Sequence, residues 1–166
     1  FAVIVQARNH KKIHNIARSI ISAIAEPFVL TDHTLHIGAT IGIAMAPQDS
    51  IDASHLLRYS DLALYAAKAD QRGTMCRFEP HMDTAAQEKA RLENDLRRAV
   101  RLGQLVVHYQ PLIDLASGGV EGYEALLRWN HPERGLLYPD SFIPLAEEIG
   151  LIDVIGQYVL QLACRE

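Results

Sequence analysis

The sequence predicts a mixed α/β chain of the α+β kind, built in two parts, and three observations predict it. Short Val- and Ile-rich runs interchange with stripes of apolar residues at helical spacing along the whole chain. Pro80 and its polar neighbours interrupt that alternation near the middle. Apolar residues make up 49% and charged residues 22%, enough apolar mass for packed cores. Residues 1–79 read as a ferredoxin-type sandwich, 80–83 as a linker, and 84–166 as the opening of a second unit of helices and strands.

Taken in order, residues 1–6 form an apolar run and read as a buried strand. Ile13, Ile16, Ala17, Ile20, Ile21 and Ile24 recur at helical spacing, and the helix stops before Pro27. Residues 28–31 and 34–44 read as a hairpin around Asp32 and His33. In its second strand Leu35, Ile37, Ala39, Ile41 and Ile43 share one face. His36, Gly38, Thr40, Gly42 and Ala44 share the other, which is small and suits close packing. Asp52 is placed to cap a helix over residues 53–69, Gly73 turns the chain, and residues 74–78 complete a βαββαβ order. Tyr65 and the first helix's isoleucines are expected in the core.

In the second part Thr84 and Gln87 have capping-box spacing, and Leu92, Leu96, Ala99 and Val100 form the apolar stripe of the helix that follows. Gly103 closes it. Residues 105–114 and 120–130 read as two strands joined through Ala116-Ser117-Gly118-Gly119. Residues 141–149 read as a short helix, with Pro144 tolerable only in its first turn. Gly150 stops it, and residues 153–164 form another.

Bulk properties narrow the function. A net charge of −4 opposes non-specific nucleic-acid binding, which needs a basic face. Cys76 and Cys164 lie far apart and without CxxC spacing, which predicts reduced thiols and a cytoplasmic location. The longest apolar run, residues 37–47, is too short and glycine-broken to span a bilayer. Phe1 in place of Met, and helical pattern up to the last residues, predict a chain cut at both ends, so that an anchor or sensor could lie outside it. His10 and His14 share a helix face but have no third ligand nearby, and the other histidines are scattered.

Chemistry concentrates in Tyr123-Glu124-Ala125-Leu126-Leu127-Arg128-Trp129. Strand period two puts Glu124, Leu126 and Arg128 on one face and Tyr123, Ala125, Leu127 and Trp129 on the other, the face to be buried. Glu124 and Arg128 are then about 13 Å apart. A carboxylate holds a divalent metal and a guanidinium grips phosphate through paired hydrogen bonds, the two requirements of phosphodiester hydrolysis. The bland alternative is a solvated strand with two unrelated charges. A second cluster, Lys68 and Arg72, is spaced to share a helical face near a C-terminus. There the two cations meet a triphosphate or simply complement the helix dipole.

Tyr109-Gln110-Pro111, then Glu124-Ala125-Leu126-Leu127-Arg128-Trp129, then the run from Phe142 to Ile152 closely resemble the opening of the EAL family. The resemblance runs from about Thr84 to the end, and it implies the first part of a TIM-type barrel that hydrolyses cyclic di-GMP with two Mg²⁺ or Mn²⁺ ions. It implies Glu124 as metal ligand, Arg128 as phosphate contact, and Gln110 and Leu126 as substrate contacts; Glu147, of the family's Ala-Glu pair, is read as structural. The segment from Ser60 to Arg72, with Ala39-Thr40-Ile41-Gly42-Ile43-Ala44 before it, resembles the second half of the GGDEF family, and Phe1 fits the place after the family's signature turn. That implies part of a palm-like sandwich, either a diguanylate cyclase or a GTP-binding regulator, with Lys68 and Arg72 on the phosphates of GTP. Gln71 stands where the family usually has Gly, and Thr40 where Ser is common.

The expectation is thus a piece of a tandem GGDEF–EAL protein that degrades cyclic di-GMP, inactive as cut, with a homodimer as the expected assembly of its full form. The alternative is a degenerate, non-catalytic module that binds nucleotide or a partner.

Overall fold

The computed structural model describes residues 1–7 and 9–164. The chain divides into two units, residues 1–87 and 88–166.

In the first unit Asn9 caps helix α1 (His10–Ala25), its side chain accepting from the Lys12 N–H at 2.9 Å. The isoleucine stripe is half-buried and only Ala17 is fully covered. Short strands β1 (Phe28–Val29) and β2 (Thr34–Leu35) pair antiparallel. A separate strand β3 (Ile41–Ile43) pairs in parallel with β4 (Met75–Arg77). Helix α2 (Ala53–Asp70) makes the crossover between them, as a parallel connection requires. Asp52 caps it through a 2.8 Å bond from the His55 N–H.

Gly42 is where β3 meets α2. A Cβ there would lie 1.9 Å from the Ser60 carbonyl oxygen and 2.3 Å from the Leu64 nitrogen, so only glycine fits. The α2 face in contact is made of Ala63 and Ala67, both buried. Beside it Tyr59 stacks on Phe78 at 4.0 Å between centroids.

Three expectations change here. Residues 1–6 form no strand: Phe1 and Ile4 are fully exposed, and the run pairs with none of the described strands, without which its backbone groups gain no ladder. The long strand expected over 34–44 is two short ones serving different sheets, so the βαββαβ order does not form one sheet among the described residues. Tyr65 is exposed, because two positions from Ala63 it points to the opposite side of the helix.

Helix α3 (Pro80–Ala99) begins inside the segment read as a linker. Proline fits a first helical turn, where its missing N–H is not needed. Asp83 in that turn complements the dipole and pairs with Arg58. Thr84 therefore lies inside the helix and does not cap it; its hydroxyl bonds back to the Pro80 carbonyl.

In the second unit, strands β5 (Leu105–Ile113), β6 (Val120–His131) and β7 (Gly135–Leu137) form an antiparallel sheet in that order. The described residues close no barrel. Proline opens a 3-10 turn over Pro139–Ser141, and helices α4 (Ile143–Glu148) and α5 (Ile152–Ala163) follow, with Pro144 in α4's first turn as required. The core lies on one sheet face: Trp129 and Leu105 pack with Leu96 and Ala99 of α3, Phe142 and Leu145, and Ile155. Phe142 meets the Trp129 ring edge-on at 5.6 Å. Leu92 and Val100 join this core as expected, while Arg91, Arg97 and Arg98 stay exposed.

Candidate functional site

An antiparallel ladder places directly opposite residues on the same face. The register here pairs Gln110 with Glu124, His108 with Leu126 and Val106 with Arg128, without irregularity between them. Gln110, Glu124, Leu126 and Arg128 therefore occupy one face; on the other, Trp129 and Leu105 are buried and Leu127 partly so, while Tyr123 and Ala125, expected buried, are exposed because the core covers only the Trp129 end of the strand. The register shift between β5 and β6 lies at Leu112 and Ile113, clear of the four. The turn that sets the register is held by Asp114, whose carboxylate accepts from the Ala116 N–H at 3.0 Å and the Ser117 N–H at 2.9 Å.

Glu124 is exposed and Arg128 half-buried. Surface ion pairs occur elsewhere in the same unit: Lys89 with Glu148, Arg134 with Glu88, Arg97 with Glu93. Yet neither Glu124 nor Arg128 has an opposite charge within ion-pair distance among the described residues. Arg128 donates instead through Nη1 to the Leu127 carbonyl at 2.7 Å, and its guanidinium lies over the Tyr138 ring, 4.7 Å from the centroid.

Hard oxygen donors suit Mg²⁺ or Mn²⁺, and the face offers the Glu124 carboxylate with the Gln110 amide opposite. No cluster of three or more His, Cys, Asp or Glu forms among the described residues, so these groups fit as part of an ion's shell and not as the whole of it. Glu147 is exposed beside the buried Ala146.

In the first unit, Lys68 lies in the last turn of α2 and Arg72 lies beyond it, in the turn after the cap residue Gln71. The two do not share a helical face, as their spacing had suggested, because the chain leaves the helix at Gln71 in an extended conformation. Gly73 (φ 80°) makes the turn, and its N–H donates to the Thr40 hydroxyl at 3.0 Å. Thr40 thus anchors the Arg72 turn to the start of β3, a task any hydroxyl there performs. Lys68 and Arg72 are both exposed and without a carboxylate partner among the described residues.

Two groups had no sequence signal. His131 is 3% exposed. Its Nδ1 accepts from the N–H groups of Glu133 and Arg134, both at 3.1 Å, which leaves the proton on Nε2 to be donated to Asp95 at 3.3 Å. It ties the β6–β7 turn to α3. The other is Tyr138, whose position depends on a strand too short to read. Cys76 is not a candidate nucleophile: burial, then Glu79 and Asp70, push its thiol up.

The two units match two family models. Residues 1–74 match the diguanylate cyclase GGDEF domain and residues 93–166 the EAL domain. The whole chain is 42% identical to a bifunctional diguanylate cyclase/cyclic di-GMP phosphodiesterase, MucR of Pseudomonas aeruginosa, covering 24% of it. It is 37% identical to the cyclic di-GMP phosphodiesterase PdeR of Escherichia coli, covering 25% of that protein. A solved structure described as the MucR phosphodiesterase in complex with c-di-GMP is 53% identical over 45% of this chain and 30% of its own, with a TM-score of 0.44. The chain spans about a quarter of the length of these curated relatives. No described helix is long and apolar enough to cross a membrane.

Proposed function

Because the chain belongs to the tandem GGDEF–EAL family, we propose that the full-length protein hydrolyses cyclic di-GMP through its EAL part. The observation that carries this reading is the ladder register, which gathers Gln110, Glu124, Leu126 and Arg128 on one face, with Glu124 and Arg128 free of opposing charge among the described residues. Glu124 holds Mg²⁺ or Mn²⁺ together with donors beyond these residues. The chemistry such an ion supplies to a phosphodiester is activation of the attacking water and neutralisation of the leaving oxygen. Arg128 fixes the phosphate by charge-assisted hydrogen bonds. Gln110 orients the nucleotide from the opposite strand, and Leu126 gives it an apolar contact. In the first unit Lys68 and Arg72 contact the phosphates of GTP, as substrate or as regulator. A cytoplasmic location, where GTP is available and Cys76 and Cys164 stay reduced, and a homodimeric assembly belong to the same reading.

The two main roles predict different failures. Glu124→Gln keeps size and loses charge, so metal-dependent turnover collapses while nucleotide affinity falls much less. Arg128→Ala loses a contact of about 1.5–3 kcal/mol, so affinity falls about 10- to 100-fold. The measurement is turnover and cyclic-di-GMP affinity of both variants of the full-length protein across a Mg²⁺ or Mn²⁺ titration. Near-normal hydrolysis by Glu124→Gln overturns the metal-ligand role. Binding without turnover in the unaltered protein selects the non-catalytic alternative.

A further inference from the structure

We propose that Tyr138 is a positioning residue that holds the Arg128 guanidinium ready for a substrate phosphate. This rests on the reading of Arg128 given above and adds a residue to it. The register makes the case first. Strands β6 and β7 pair Asn130 with Leu136 and Trp129 with Leu137. One step further, Arg128 faces Tyr138, on the same sheet face. Pro139 has no N–H to continue the ladder, so Tyr138 stands at its end, extended (φ −94°, ψ 157°). Its carbonyl accepts from the Ser141 N–H at 3.0 Å and the Ser141 hydroxyl at 2.6 Å, which locks the backbone.

Tyr138 is 57% exposed, so core packing does not account for its placement. What it meets is the Arg128 guanidinium, 4.7 Å from the ring centroid. Arg128 is thereby bracketed by the Tyr138 ring and by the Leu127 carbonyl at 2.7 Å on Nη1. Neither contact neutralises the charge, and both restrict a side chain that otherwise samples many rotamers. A guanidinium on an aromatic face keeps its in-plane N–H groups available, and those are the groups that grip a phosphate in pairs. The π face is the operative part of Tyr138, and the hydroxyl is not.

The test is cyclic-di-GMP affinity of the full-length protein in EDTA, so that hydrolysis does not intervene. Tyr138→Leu is expected to weaken binding about 2- to 5-fold, the scale of an exposed cation–π contact. Tyr138→Phe keeps the ring and should bind as the unaltered protein does. In an Arg128→Ala background Tyr138→Leu should cause no further loss, and unchanged thermal midpoints confirm that each variant is folded. Equal loss in Tyr138→Phe and Tyr138→Leu overturns the proposal in favour of a direct hydroxyl contact. Full binding by Tyr138→Leu while Arg128→Ala binds weakly overturns the positioning role and leaves Arg128's role standing. Full binding by Arg128→Ala overturns both, because there is then nothing to position.

Discussion

At the scale of single residues, the positions that matter most are those where no other side chain will serve. Gly42 is the sharpest case. The strand face of His36, Gly38, Thr40, Gly42 and Ala44 was legible in the sequence as one of small residues, but not which of them needs its smallness. At Gly38 a Cβ would meet nothing within 4 Å; at Gly42 it would meet the backbone of α2. Backbone cannot rotate away as a side chain can, so Gly42→Ala must move β3 and α2 apart. The expected cost is about 3 kcal/mol, the upper range for overpacking. It should appear as a fall in the thermal midpoint of the first unit, and an unchanged midpoint refutes the close approach. His131 shows the opposite kind of legibility. Nothing in its spacing marked it, since its partners are backbone N–H groups and Asp95, 36 residues away. Such a node becomes visible only once β6 turns into β7.

At the scale of elements, long periodic segments were readable and short ones were not. Helix α2 and strands β5 and β6 are long enough to be read as elements from the sequence, and the face assignment of Glu124 and Arg128 followed from strand period two alone. Strand β7 has three residues, and the apolar run Leu136-Leu137-Tyr138 contains no complete alternation to read. The capping-box pattern at Thr84 and Gln87 was overridden by Pro80, which starts the same helix earlier. The site's geometry depends on the β5–β6 register, because a slip of one residue would send Glu124 and Arg128 to the buried side. That register is anchored at the Asp114 turn. Hydrogen bonds from the Ser117 side chain, then from the Ala116 and Ser117 backbones, hold the Asp114 carboxyl below the ordinary aspartate range. A depressed folded-state value means stabilisation that is present above the unfolded value, about 4, and lost as pH falls through the folded one. Amide-exchange protection at Ala116 and Ser117 should therefore decline in acid, and Asp114→Asn, with an acceptor but no charge, should remove that pH dependence. Protection equally strong in acid and at neutral pH would show that the carboxylate is not what holds the turn.

At the scale of the whole molecule, the chain carries two cores of unequal quality. The second unit encloses Trp129, Phe142, Leu96, Leu105 and Ile155 completely, while the first buries mainly alanines together with Phe78. Large apolar side chains stand in solvent in both: Phe1, Ile4 and Val29 in the first, Leu115, Val120 and Tyr123 in the second. Leu115, Val120 and Tyr123 lie at the hairpin end of β5 and β6, away from the core around Trp129. The sheets of the first unit have only two strands each, so their edges are open among the described residues. Open sheet edges with apolar residues alongside are templates for pairing with another chain. The 166-residue polypeptide on its own is therefore expected to associate, its light-scattering mass rising with concentration and its melt broad, with the first unit losing structure before the second. The full-length protein, several times longer if it resembles its relatives, should not share this behaviour to the same degree. A monomeric mass at every concentration, with one sharp cooperative melt, would show that these surfaces are compatible with an independent fold. The order of melting separates the causes: if the first unit outlasts the second, buried apolar volume is not what sets the stability of either.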